Sequence, residues 1–108
     1  MIMSDSVIDV GGASGGWRLS GELTIQHAAT QGEQLRQWID AGMMSVDLSA
    51  VEACDSSGVQ LLVAARRSVA ARGQSLELRD ASAPVRDVFG RFALTGLLSS
   101  DVVTREHP

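Results

Sequence analysis

The sequence predicts an α/β fold: a mixed, mostly parallel sheet of four to five strands with helices packed on it, starting with an antiparallel hairpin. Three observations carry that expectation. Met44, Val46 and Leu48 alternate with Ser45 and Asp47, the period-two pattern of a strand with one buried face. From Val59 the spacing changes, and Val59, Leu62, Val63, Val69 and Ala70 fall mainly on one side of a helix. Strand-like and helix-like segments alternate through the rest of the chain, the order in which helices cover a sheet whose later strands pair in parallel.

The first elements follow from short-range pattern. Residues 1–6 are expected to fray, and Val7, Ile8 and Val10 read as a short strand. Gly11-Gly12-Ala13-Ser14-Gly15-Gly16 reads as a hairpin turn. A phosphate cradle is the competing reading of these glycines, but no Gly-Lys-Ser/Thr follows. Trp17, Leu19 and Gly21 alternate with Arg18 and Ser20 and make the second strand. Leu23 to Ile25 leads into a helix over about 28–41, with Leu35, Trp38 and Ile39 as its apolar stripe and Gly42 as the residue after its C-cap. Gly32 inside this helix costs roughly 1 kcal/mol relative to alanine.

The central strand and the helix beginning near Ser56 follow, ending near Arg72-Gly73. Arg66, Arg67 and Arg72 are expected on its solvated side. Residues 74–79 read as the next strand. Ala83-Pro84 opens another helix, with proline near its first position and Asp87 in its first turns. Val85, Val88, Phe89 and Phe92 give the i, i+3, i+4, i+7 spacing of an amphipathic helix that ends near Gly96. Residues 97–103 add a short strand or a helical turn, and residues 104–108 read as a tail. The core expected from these patterns contains Val46, Leu48, Leu62, Val63, Leu78, Val88 and Phe89.

Composition narrows the function. All 108 residues read as one domain, long enough for one core. A net charge of −4 repels a phosphate backbone on average, so no nucleic-acid partner is expected. All nine cations are arginine; the sequence offers no functional reason for that. The single Cys54 excludes an internal disulfide and fits a reducing cytoplasm, the expected location. The N-terminus lacks the basic and apolar regions of a signal peptide. No stretch approaches the ~18 apolar residues of a membrane span, so no direct insertion is expected.

Asp55-Ser56-Ser57-Gly58 is the stretch with chemical potential. Three short polar side chains suit a helix N-terminus, whose first N–H groups lack intrahelical partners. The same end of a helix also favours a phosphate on serine. Cap and switch are both consistent with these residues.

With its flanks, this stretch resembles the STAS domain, shared by bacterial anti-sigma factor antagonists and the cytoplasmic tails of sulfate transporters. The Val46-Asp47-Leu48-Ser49 strand, Asp55-Ser56-Ser57-Gly58 and the apolar helix match the family's central motif. Leu19-Ser20-Gly21-Glu22-Leu23-Thr24, Leu76-Glu77-Leu78 and Leu94-Thr95-Gly96-Leu97 match further elements in order, so the likeness runs from about Val7 to Val103. It implies a non-catalytic regulatory protein that works by protein–protein contact through Asp55, Ser56, Ser57, Gly58 and Gln60. In the antagonists a partner kinase phosphorylates the serine after the motif aspartate. By position that is Ser56, with Ser57 as second choice. Gly58 is expected to leave room for a partner backbone.

The implied partner is an anti-sigma factor that is also a serine kinase. The alternative is a scaffold role without phosphorylation, as a small subunit of a lipid-transport ATPase complex or beside a chemotaxis protein. Thr24, where many antagonists carry an acidic residue, favours the scaffold.

Catalysis is not expected. Ser56 lacks the Gly-x-Ser-x-Gly elbow of the α/β-hydrolases. His27 reads as a surface or capping residue, and Cys54 as a small hydrophobe. No His, Cys or carboxylate cluster has metal-ligand spacing, and no nucleotide signature is present. No cofactor or metal is expected.

Overall fold

A computed structural model describes residues 17–99. It contains four strands, β1 (Trp17–Leu23), β2 (Ser45–Cys54), β3 (Glu77–Arg79) and β4 (Leu98–Ser99). Three α-helices connect them, α1 (Ala28–Asp40), α2 (Ser56–Ala71) and α3 (Ala83–Arg91). Short 3₁₀ turns precede α1 (Ile25–His27) and β4 (Thr95–Leu97). The described sheet runs β1-β2-β3-β4, and every neighbouring pair is parallel. The expected first strand at Val7 to Val10 and the glycine hairpin lie outside the described residues.

Sequential order and parallel pairing require a crossover between each pair of strands. Crossovers of one hand bring their helices to one face. The burial pattern agrees. Leu19 and Leu23 of β1, Val46, Leu48 and Val51 of β2, and Leu78 of β3 are buried. They pack in one core with Leu35 and Ile39 of α1, Val59, Leu62, Ala65 and Val69 of α2, and Val85, Val88 and Phe89 of α3. Arg18, Ser49, Glu77 and Arg79 are exposed, and Arg18 Nε donates to Asp47 Oδ2 at 3.2 Å.

Several local expectations are corrected. Met44 is 45% exposed and precedes β2, while Met43 is buried. β2 runs on to Cys54, accommodated by register irregularities against β1 between Arg18 and Ser20 and between Gly21 and Glu22. Val63 is only half-buried and Ala70 is exposed, because the inward stripe of α2 is Val59, Leu62, Ala65 and Val69. Arg66 is half-buried rather than solvated.

The last helix stops early. Phe92 is its C-cap and 49% exposed. Ala93 follows in the left-handed region at φ 58°, and Leu94 N–H closes back on Phe89 O at 2.8 Å. This is the Schellman end that Gly42 and Gly73 make after α1 and α2, here made by alanine. Gly96 lies instead within the 3₁₀ turn before β4.

Two tertiary ties hold α1 and α2 in relative position. Arg72 donates to Ile39 O at 3.1 Å and to Asp40 Oδ1 at 2.6 Å, joining the C-terminal ends of the two helices. Gly32 is the close-approach point: a Cβ there would lie 3.1 Å from Leu61 Cδ2. That contact gives a reason for a glycine inside a helix where alanine has the better propensity.

Candidate functional site at the start of the second helix

Parallel strands place their C-terminal ends on one edge, where α/β proteins gather functional loops. Here the ends of β1 and β2 are in register, with Leu23 opposite Cys54. The Asp55 amide donates to Leu23 O at 3.1 Å, so the connection into α2 is tied to the end of β1.

Asp55 is the N-cap of α2, in extended conformation, and its carboxylate reaches two elements at once. Oδ1 accepts from the Ser57 amide at 2.8 Å and from the Gly58 amide at 3.4 Å. Oδ2 accepts from the Ile25 amide at 3.0 Å, in the turn before α1. These donors, Ile25 foremost, hold the Asp55 carboxyl below its ordinary pKa by stabilising the anion. The capping function read from the sequence is therefore present, and the tie to Ile25 comes in addition.

Ser56 begins the helix and is exposed; Ser57 is half-buried; Gln60 is exposed. Gly58 departs from expectation. It is buried, and a Cβ on it would sit 2.5 Å from Leu23 O, 2.7 Å from Cys54 Sγ and 2.8 Å from Leu23 Cβ. The space at Gly58 is filled by this chain's own β1 and β2 ends and is not open to a partner backbone.

Among the described residues no hydrogen bond joins His27 to Cys54 or Ser56. His27 Nδ1 lies 3.4 Å from both Thr24 Oγ1 and Glu22 Oε1, on the exposed side of the turn. Cys54 is half-buried, with its thiol toward Asp55 O at 3.6 Å. Burial, and then the Asp55 charge, push that thiol up to about 11, so it stays protonated at neutral pH. Among the described residues no group of three or more His, Cys, Asp or Glu side chains converges to hold a metal, and no helix is long and apolar enough to cross a membrane. A groove of about 460 Å³ between α1 and α2 is lined by Ala28, Gly32, Leu61 and Ala64 and includes none of residues 55–60.

The family model described as "Mlab, STAS domain" matches residues 7–99. The chain belongs to the STAS family. The STAS fold is also seen in the likeness to the solved structure of the anti-sigma factor antagonist SpoIIAA in its unphosphorylated form. That match has a TM-score of 0.61, 22% identity, and covers 82% of each chain. No curated protein sequence matches.

Sequence reasoning missed Ile25 at this edge of the STAS domain. In the sequence Leu23 to Ile25 reads only as the lead into the first helix, and that reading does not single Ile25 out from Leu23. The chain turns at Thr24, and Ile25 ends 68% exposed. The one available signal was Thr24-Ile25-Gln26-His27 itself, a single aliphatic residue among polar ones after a strand.

Proposed function

We propose that this STAS domain is a non-catalytic regulatory module that docks a protein partner through Asp55, Ser56, Ser57 and Gln60, with Ser56 as a phosphorylation switch. One observation carries the reading. Ser56 is exposed at the first position of α2, while the Asp55 carboxylate already occupies the neighbouring Ser57 and Gly58 amides. A phosphate on Ser56 adds about −1.5 to −2 charges at pH 7. With those amides taken, the charge projects toward solvent beside a carboxylate. It opposes docking through repulsion and desolvation, and the fold need not change.

The test uses partner recovered by pull-down, identified by mass spectrometry and purified. Ser56→Asp is expected to leave Tm nearly unchanged and to weaken binding by about 2 kcal/mol or more, roughly thirtyfold. Ser56→Ala binds normally and ignores the kinase. Ser57→Asp matters less, because successive helical side chains point about 100° apart and Ser57 is half-buried. Equal binding by wild type, Ser56→Ala and Ser56→Asp refutes the switch.

A second reading keeps the docking face and drops phosphorylation: a scaffold in a lipid-transport ATPase complex or beside a chemotaxis protein. Thr24 favours it. This residue stands where many antagonists carry an acid, and it contacts His27 instead. Identification of the partner separates the two readings.

A further inference from the structure

We propose that the docking face continues along α2 from Ser56 to Arg67, that Arg67 is its specificity-determining residue, and that the partner is a protein presenting carboxylates opposite that guanidinium. The proposal rests on the docking reading above and names the chemistry of its partner.

Ser56, Gln60, Val63, Arg67 and Ala70 follow one another along α2 at alternating steps of four and three. At about 100° per residue, that spacing keeps all five within about 40° of Ser56. They form one stripe along the helix. The buried stripe of Val59, Leu62, Ala65 and Val69 runs along a different face. Ser56, Gln60, Arg67 and Ala70 are exposed, and Val63 is half-buried between them. The stripe thus has an aliphatic centre, with the candidate phosphorylation site at one end and a cation three turns along. At 1.5 Å per residue, Ser56 and Arg67 stand about 16 Å apart along the axis, a span that one partner surface can cover.

The charge on this stripe selects the partner. The chain carries a net charge of −4, yet α2 contains Arg66 and Arg67 and no aspartate or glutamate. Among the described residues five arginines pair with acids: Arg18 with Asp47, Arg36 with Glu33, Arg72 with Asp40, Arg79 with Asp80 and Arg91 with Asp87. Arg86 donates to Ala81 O, and Arg66 is half-buried. Arg67 is exposed and makes neither a hydrogen bond nor an ion pair among the described residues. Both ends of the stripe therefore make the same demand. Negative charge added at Ser56 repels an acidic partner, and the free guanidinium at Arg67 attracts one. A cationic partner would be drawn to phosphorylated Ser56 and repelled by Arg67. Arginine also offers paired N–H donors that a carboxylate accepts side by side, which lysine does not.

The test can be run before the partner is identified. A random peptide library displayed on phage is panned on the immobilised full chain, and the selected peptides are titrated in solution against variants. The expected peptides are rich in aspartate or glutamate. They lose about tenfold in affinity on Arg67→Ala, equivalent to about 1.4 kcal/mol. Arg67→Lys recovers part of that loss, because the charge returns without the paired donors. Wild-type affinity falls as sodium chloride is raised, and Arg67→Ala flattens the dependence. Arg86→Ala, at an exposed arginine on α3, changes neither affinity nor salt dependence. Thermal unfolding checks that each variant is folded.

A cationic consensus, no selected peptide, or full affinity in Arg67→Ala overturns the proposal. Peptides that ignore Arg67→Ala yet weaken on Ser56→Asp remove Arg67 from the docking face and leave that face standing. Peptides that ignore both remove the docking face as well.

Discussion

Gly58→Ala sets two general effects against each other at one atom. Helix propensity alone favours alanine by up to about 1 kcal/mol. Packing opposes it. The added methyl would lie 2.5 Å from Leu23 O and 2.8 Å from Leu23 Cβ, with Cys54 Sγ at 2.7 Å. All three distances are far inside ordinary contact of about 3.5–4.0 Å. The nearest obstacle is backbone, which cannot rotate away as the end of a long side chain can. Moving it disturbs the Asp55 amide bond to Leu23 O and the pairing of Leu23 with Cys54. Overpacking of this kind costs about 1–3 kcal/mol and sometimes more. After the propensity gain, a net loss of about 1–2 kcal/mol is expected, read from urea denaturation with an unchanged m-value. Gly90→Ala is the matched control, because its Cβ would meet only Thr95 Cγ2 at an ordinary 3.9 Å. It should stabilise by roughly 0.5–1 kcal/mol. A Gly58→Ala variant as stable as wild type, or more so, would refute the close-approach argument.

Leu62 is fully buried, so Leu62→Ala should cost about 2–5 kcal/mol in the same denaturation assay. Ala93→Gly should stabilise by about 0.5 kcal/mol, since relief of left-handed strain at φ 58° of about 1–2 kcal/mol outweighs the extra freedom glycine gives the unfolded chain. The folded pKa of Asp55 is depressed, so its contribution to stability is fully present above the unfolded value of about 3.9 and lost as pH falls through the lower folded value. Asp47 has the same sign: desolvation raises its pKa, but hydrogen bonds from Ser49 and the Arg18 pairing prevail and lower it. Tm measured against pH should therefore fall less steeply in acid for Asp55→Asn than for wild type. Cys54, raised from 9.0 to about 11, should react with iodoacetamide at mildly alkaline pH about a hundredfold more slowly than an unperturbed, solvent-exposed thiol.

How far the sequence reaches depends on the range of the physics. Periodicity is local, and it located the three helices and the inward residues Val46, Leu48, Leu62, Val88 and Phe89. Capping is local too, and it placed Asp55 at the head of α2. The misses depend on contacts between distant segments. Val63 sits beside the buried stripe of α2, and only the neighbouring elements decide which residues at its margin are covered. Phe92 completes a helical spacing, but the chain leaves the helix there because Ala93 adopts a left-handed conformation that its type disfavours. Gly58 looked like space for a partner because nothing in its neighbourhood of sequence reveals that Leu23, far along the chain, fills that space. The bond from Asp55 to Ile25 spans thirty positions in the same way.

The tryptophan pair has a practical consequence for spectroscopy. Trp17 and Trp38 are the chain's two tryptophans, it has no tyrosine, and their rings stand 5.5 Å apart at an interplanar angle of 49°. Ultraviolet-excited emission from the protein therefore reports almost wholly on the place where the beginning of β1 meets the end of α1. Ser56 and Ile25 lie beyond the opposite end of β1, a strand of seven residues that spans about 20 Å. Emission should follow the separation of β1 from α1 during unfolding while a ligand that carries no tryptophan goes on and off at Ser56 almost unseen. One optical signal can then monitor denaturation in the presence of such a ligand, and an added fluorophore near residue 60 can monitor occupancy independently.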